Sequence, residues 1–390
     1  MITDKVFPCT GLCKFTLGLL ITFCLGGCTL AAPMSDEVTS KISLNLLSKY
    51  ETTQSEINDI KYIDTLGQLL VITEIGGLYL DVNTGEKVSQ FSGKGDINKI
   101  KLDASGKLLM ISSRDQVRIV NVKDQTTVWE KNDEGASGDQ LSAFAPDGGS
   151  LYAFSTIWRL DNSSRGKNSS KGNAPIENIH YPAAAMSSEI SPDNRFLLNT
   201  GLYGTFDLID MKTGAYIHQW DTDRNVAGGS FSMDSKYVYI VSGAKSMLAM
   251  SKKMNDVDVF NLTDYAKIKE LSHKGNITTF TLSRPSGDLF VGTDAGEISH
   301  WSAKSFKNQG YWKDSGWIHA SISDDSGRVW FGCENGKLKF YNPYDNTLSS
   351  VMNLGAPIAK LAVSKKGDIV ATVKQDGQKR EITVFQVTGL

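Results

Sequence analysis

Covalent staples are scarce in this chain. It has five cysteines in 390 residues, and Cys9, Cys13, Cys24 and Cys28 all fall within the first 28, leaving Cys333 alone in the body. A disulfide framework is therefore excluded, and stability has to come from burial. Charge of one sign is also lacking. Lys and Arg number 41 against 43 Asp and Glu, a net charge of −2, which excludes the basic excess of a nucleic-acid surface. The uncharged apolar stretch at residues 15–25 has eleven residues, too few to span a bilayer as a helix, which takes about 20. The five histidines, His180, His218, His273, His300 and His319, are far apart and include no pair at i and i+4, so no metal spacing is present. There is no Gly-x-Ser-x-Gly elbow, phosphate-binding loop or His-Glu-x-x-His. We expect no catalytic residue, no metal site and no cofactor.

The N-terminus differs from the rest. Lys5 and Lys14 precede the short apolar stretch, and Leu25-Gly26-Gly27-Cys28 follows it. A charged start, a short apolar core and small residues before a cut form the pattern of a secretory signal. Leu25, Gly26, Gly27 and Cys28 resemble the lipobox of bacterial lipoproteins. That resemblance implies that residues 1–27 are a removed signal peptide and that the Cys28 thiol takes the acyl chains. Residues 28–40, polar and Ala/Pro-containing, would be a lipidated tether. Thr29 follows the cysteine, where Asp would imply retention in the inner membrane; the resemblance thus implies an outer-membrane lipoprotein of a Gram-negative envelope.

The body, residues 41–390, is one unit repeated. Short apolar runs end in a small residue at Thr73, Ser112, Ser155, Thr200, Ser242, Thr293, Cys333 and Val373, spaced 39 to 51 residues apart. This is the period of a propeller blade. Before each run stands a turn pair: Leu66-Gly67, Ser105-Gly106, Asp147-Gly148, Asp193-Asn194, Asp234-Ser235, Ser286-Gly287, Ser326-Gly327 and Lys366-Gly367. Such residues accept positive φ or bond their own backbone, closing hairpins cheaply. A third segment ends in an apolar-polar pair, as at Leu80-Asp81, Ile209-Asp210 and Tyr341-Asn342. The runs lack period-two alternation because a strand packed between two neighbouring blades is buried on both faces. Cys333 occupies the place of the small strand residues, and we read it as buried and inert.

Ser191-Pro192-Asp193 and Asp210-Met211-Lys212-Thr213-Gly214 resemble the WD40 repeat family, as does Ser272-His273 in place of Gly-His; the Trp-Asp pair itself is absent. A second resemblance is to quinoprotein-like propellers, whose outer strand carries a Trp, a part open to Trp129 and Trp220. Either implies an all-β chain forming a single β-propeller of four-stranded blades. Eight units are counted, or seven if the irregular third or fifth forms no blade. The eighth unit stops at its third strand, and the alternating residues 41–47 can supply the fourth, closing the ring with an N-terminal strand.

Two departures from the repeat carry functional interest. Residues 243–255 form an enlarged loop in unit five, where Met247, Leu248, Met250, Lys252, Lys253 and Met254 make a surface both adaptable and basic, the candidate partner-binding loop. Residues 162–175 form a polar insertion in unit three, read as a solvated loop. The expected function is a membrane-anchored, non-catalytic protein-interaction scaffold of the cell envelope. Its partners would be the membrane, through the acyl chains on Cys28, and envelope or membrane proteins. Neither nucleic acid nor a small-molecule substrate is expected. The rival is a propeller enzyme or ligand-binding protein with its site in the central channel. For it the first strands offer Asp59, Lys61, Lys99, Lys101, Glu189 and Lys360, which form no recognisable constellation in the sequence.

Overall fold

The computed structural model describes residues 42–52, 56–93, 95–113, 115–132, 141–160, 175–177, 179, 185–201, 203–243, 254–377 and 379–390. They form eight antiparallel sheets and, among the described residues, no helix. In blade one the strands run in spatial order from the centre outward: Ile57–Ile63, Gln68–Thr73, Gly76–Asp81 and Lys87–Ser92. The inner strands of the following blades are Ile97–Leu102, Ser142–Phe144, Ala185–Ile190, Asn225–Phe231, Ile277–Leu282, Ile318–Ser323 and Ile358–Val363. This is an eight-bladed β-propeller of WD40-like type.

The third unit forms a blade, so the seven-blade alternative falls. It differs from the expected four strands, however. Ser142–Phe144, Ser150–Ala153 and Thr156–Arg159 pair in order, and the outer position is held by Ile176, which makes an antiparallel bridge to Ile157.

The apolar runs are the second strands, and their two faces serve two interfaces. In blade one, Leu69 and Val71 pack with Ile369, Ala371 and Val373 of blade eight. Leu70 and Ile72, pointing the other way, pack with Leu109 and Ile111 of blade two. In blade seven, Val329, Phe331 and Cys333 face Phe290 and Trp312 of blade six, while Trp330 faces Val370 of blade eight. Each fully buried side chain of this size contributes roughly 1.5–3 kcal/mol, so the core is a ring of interfaces. Cys333 is completely buried there and not in a disulfide.

The eight turns after the inner strands share one conformation. Gly67, Gly106, Gly148, Asn194, Ser235, Gly287, Gly327 and Gly367, the second member of every turn pair, all have positive φ. Glycine enters that region without a Cβ penalty, and Asn tolerates it. Only Ser235 lacks either advantage. These turns also bond sideways, as where Ala104 N donates to Pro146 O at 2.7 Å and Asp325 N to Lys365 O at 2.9 Å.

Ring closure follows the expected route with one change. Ser43–Thr52 lies antiparallel to Lys379–Thr388 as the outer strand of blade eight. Simple alternation would put Ile42, Leu44 and Leu46 on one face. Instead a bulge between Leu46 and Ser48 shifts the register. Leu44 and Leu47 turn inward against the core, and Leu46 is left 54% exposed.

Candidate functional site

The up-and-down course of each blade defines two faces. The turns from first to second strand, and from third to outer strand, lie on one. The second-to-third turns and the crossings from blade to blade lie on the other. Ser43 pairs with Thr388 at the bottom of blade eight, and Val387 N donates to Asp368 O in that blade's first turn. The chain before Ser43 therefore leaves from the first-turn face, here called the terminal face. Gly243 and Met254, which flank the enlarged loop of blade five between Tyr237–Gly243 and Asp256–Asn261, lie at the opposite, crossover face. Of the loop's candidate residues only Met254 is described, and its backbone N donates to Asn276 Oδ1 at 3.0 Å. Met247, Leu248, Met250, Lys252 and Lys253 lie outside the described residues, as do Leu25, Gly26, Gly27 and Cys28 and the insertion at 162–174.

The crossover face also exposes three large apolar side chains: Ile75 in blade one at 74%, Tyr203 in blade four at 60%, and Trp317 between blades six and seven at 52%.

The central channel holds most of the unusual charge. In seven blades the ladder between inner and second strands slips near the start of the inner strand, at Ile57/Asp59, Ile97/Lys99, Ala185/Ser187, Val226/Gly228, Ile277/Thr279, Ile318/Ala320 and Ile358/Lys360. A bulge re-aims the residues that follow it. Thus Ile57, Ile60, Ile97 and Ile100 face the core, while Asp59 and Lys61 line a cavity in the lumen. That cavity measures about 510 Å³, and its walls come from blades one, six, seven and eight.

Two groups of titratable side chains sit in the lumen. On the side of blades two to five, the Lys99 ammonium donates to Ser142 O at 2.6 Å and to Ser188 O at 3.0 Å, reaching past the short third blade to the fourth. Ser230 donates to Glu189 Oε1 at 3.1 Å. Burial, with Lys101 adding to it and Glu189 opposing, brings Lys99 down to about 8. Burial also lowers Lys101, against the pull of Glu189 and with the help of Lys61 and Arg284. Glu189 is raised by burial, although Lys101, Ser230 and Lys99 act the other way. These side chains lie deep in the ring yet keep part of their surface open to the lumen.

On the other side, Lys61 stands 3.5 Å from Asp59 and Arg284 3.3 Å from Asp325. Lys360 makes no hydrogen bond or ion pair among the described residues. Hydroxyls of blades six and seven line the same cavity: Thr279 Oγ1 and Ser321 Oγ are 2.7 Å apart, Thr281 Oγ1 and Ser321 Oγ 2.8 Å, and Thr281 also bonds Ser321 O at 3.0 Å. The six inner-strand residues read as scattered in the sequence are thus gathered into one channel. What sequence reasoning missed was the bulge, whose signal was the three-residue spacing of Ile57 and Ile60 and of Ile97 and Ile100.

The remaining singled-out residues that are described have partners within the fold, and His319 also lines the lumen cavity. His273, in the crossing to blade six, lies 2.8 Å by Nε2 from Ser299 Oγ, and Trp301 Nε1 donates to Ser299 Oγ at 2.9 Å. His300 stacks on Phe290 at 4.4 Å, His218 on Tyr265 at 4.4 Å, and His319 pairs with Glu334. His180 lies outside the described residues. Asp324 is buried and accepts from Arg328 Nε at 2.6 Å. Trp220 lies in its blade's outer strand, stacked on Phe206 and donating to Tyr265 O at 2.8 Å. Trp129 lies 5.3 Å from Trp158, and Trp312 plays a similar buried part in blade six.

No protein-family model matches the chain. Among curated proteins it is similar to a human protein described as U3 small nucleolar RNA-associated protein 18 homolog, with 46% identity over 57 residues. The match spans 15% of this chain and 10% of that protein.

Proposed function

We propose that this chain is a membrane-tethered, non-catalytic scaffold, lipidated on Cys28 in a Gram-negative outer membrane, that presents the crossover face of its propeller to envelope or membrane proteins. The observation that carries the reading is the opposition of two features. The chain enters the ring on the terminal face, at Ser43, and Gly243 and Met254, the described residues flanking the enlarged loop of blade five, lie at the other. A tether of residues 28–40 spans at most about 45 Å when extended, short enough to keep the propeller close to the bilayer. Ile75, Tyr203 and Trp317 lie on the crossover face, spread around the ring as a broad partner would require. Fold alone does not give function, so the reading rests on these positions and on the lipobox.

The test is site-specific crosslinking in cells producing the full chain, compared with a variant carrying Ile75→Asp, Tyr203→Asp and Trp317→Asp. A discrete envelope protein captured by the parent and lost in the variant supports the reading. Failure to capture one, or an unchanged pattern in the variant, overturns it. Separately, Cys28→Ser should abolish palmitate incorporation and release the chain from membranes; continued labelling removes the anchor from the proposal.

A further inference from the structure

We infer that the central channel binds a small anionic polyol, with its oxyanion between Lys61 and Lys360 and its hydroxyls against Thr279, Thr281 and Ser321. All five residues line one cavity of about 510 Å³, a size suited to a small ligand.

The two sides of that cavity are chemically different. On one, Lys360 has no partner among the described residues and Lys61 is only loosely engaged by Asp59 at 3.5 Å. Arg284 and Lys365 are already committed, Arg284 to Asp325 and Lys365 Nζ to Ala104 O at 3.0 Å. The cations left available are therefore Lys360 and Lys61. Lys99 and Lys101, further round the lumen, add positive potential. An oxyanion placed there gains charge-assisted hydrogen bonds.

On the other side, Thr281 spends its proton on Ser321, and Thr279 and Ser321 share a bond. A hydroxyl has one donor and two acceptor lone pairs, so this wall keeps lone pairs free to accept from ligand hydroxyls. A simple inorganic anion would use the lysines and leave the wall idle. A neutral sugar would use the wall and leave the lysines unpaired. A ligand carrying both functions uses both. The inference does not depend on the lipid anchor or on a protein partner.

Calorimetric titration of the purified full chain with glucose 6-phosphate, glucuronate, inorganic phosphate and glucose tests it, the first two separating a phosphate from a carboxylate oxyanion. The expected result is one site per chain for glucose 6-phosphate or glucuronate, and weaker binding of phosphate and of glucose. Lys360→Met and Lys61→Met should each weaken the sugar-anion probe about tenfold, the loss of one charge-assisted bond. Lys360→Arg should retain binding, which separates lost charge from lost fold. Thr281→Val should weaken the sugar-anion probe and leave inorganic phosphate unchanged. The inference is overturned if neither sugar anion binds, if binding survives both lysine-to-methionine changes, or if glucose binds as tightly as its phosphate.

Discussion

Ser48 donates its hydroxyl to the carbonyl of Val82 across 2.7 Å, tying the outer strand of blade eight to blade one. The contact ties the blade in which the first and last described strands share a sheet to its neighbour. Between the same two blades, Arg380 bonds Glu56 through Nε at 3.2 Å, joining the third strand of blade eight to the segment leading into blade one.

Removing residues 42–52 should leave Lys379–Thr388 as an unpaired edge. Open edges recruit other strands, so the truncated chain is expected to unfold at lower denaturant and to elute from a sizing column as oligomers. A truncated chain that stays monomeric with an unchanged midpoint would count against the closure. Ser48→Ala, with the strand kept, should cost about 1 kcal/mol, read from the urea midpoint.

Gly332 is a contact point between blades. A Cβ there would meet Ile358 Cγ2 at 2.7 Å and Ile358 O at 2.8 Å. Because one neighbour is backbone, the blades would have to separate, and Gly332→Val should destabilise by roughly 1–3 kcal/mol. Gly228→Ala is the control, since its Cβ would meet only Ser187 Oγ at 3.5 Å. Equal effects from the two in chemical unfolding would refute this account.

Lys339 and Asp314 form an ion pair at 2.9 Å with both side chains almost fully buried. Burial pushes the Asp314 carboxyl up, but Lys339, the Ser315 amide and Lys337 together hold it below its ordinary value. Lys339→Met would remove the nearest cation from a buried carboxylate and leave it the more distant Lys337 and the Ser315 amide, at a cost of up to about 3–5 kcal/mol near neutral pH. The native pair stabilises the fold where Asp314 is ionised, and that contribution is lost as pH falls through its lowered value. Stability curves of parent and variant should therefore converge in acid; parallel curves would dismiss the pair.

Lys99 titrates at about 8 in the folded ring, against about 10.4 for an ordinary lysine. Between these values the unfolded chain binds more protons, so stability should rise with pH across that window. The full effect is on the order of 3 kcal/mol, and Lys99→Met should flatten the slope. Glu189 opposes the lowering, so Glu189→Gln should move the Lys99 midpoint further down, as followed by NMR of the labelled side chain. An upward move would reverse the assigned electrostatics.

How much of this was legible beforehand depended on how local the signal was. The eight turn pairs and eight apolar runs declared a repeated blade, because positive φ and two-sided burial each demand residue types that stand out within a few positions. Closure was legible because an alternating strand preceded the first unit. The bulge at Leu47 was not, since which of two adjacent leucines turns inward depends on the register against Lys379–Thr388. Cys28 and the methionine-rich loop of blade five carry chemistry in the sequence that the described residues do not reach.

By itself, then, the sequence determined that the chain is a propeller of eight or seven blades, since burial and backbone conformation are requirements each segment meets alone; the eight sheets of the structure decided the count. The tertiary structure decided where the charge goes. Lys61, Lys99, Glu189 and Lys360 are up to about 300 residues apart in the chain, and only a closed ring of bulged inner strands turns them into one lumen. Closure also decided that Ser43 and the strand ends flanking the loop of blade five lie at opposite faces, because strand direction in a shared sheet is fixed by pairing and not by any residue alone.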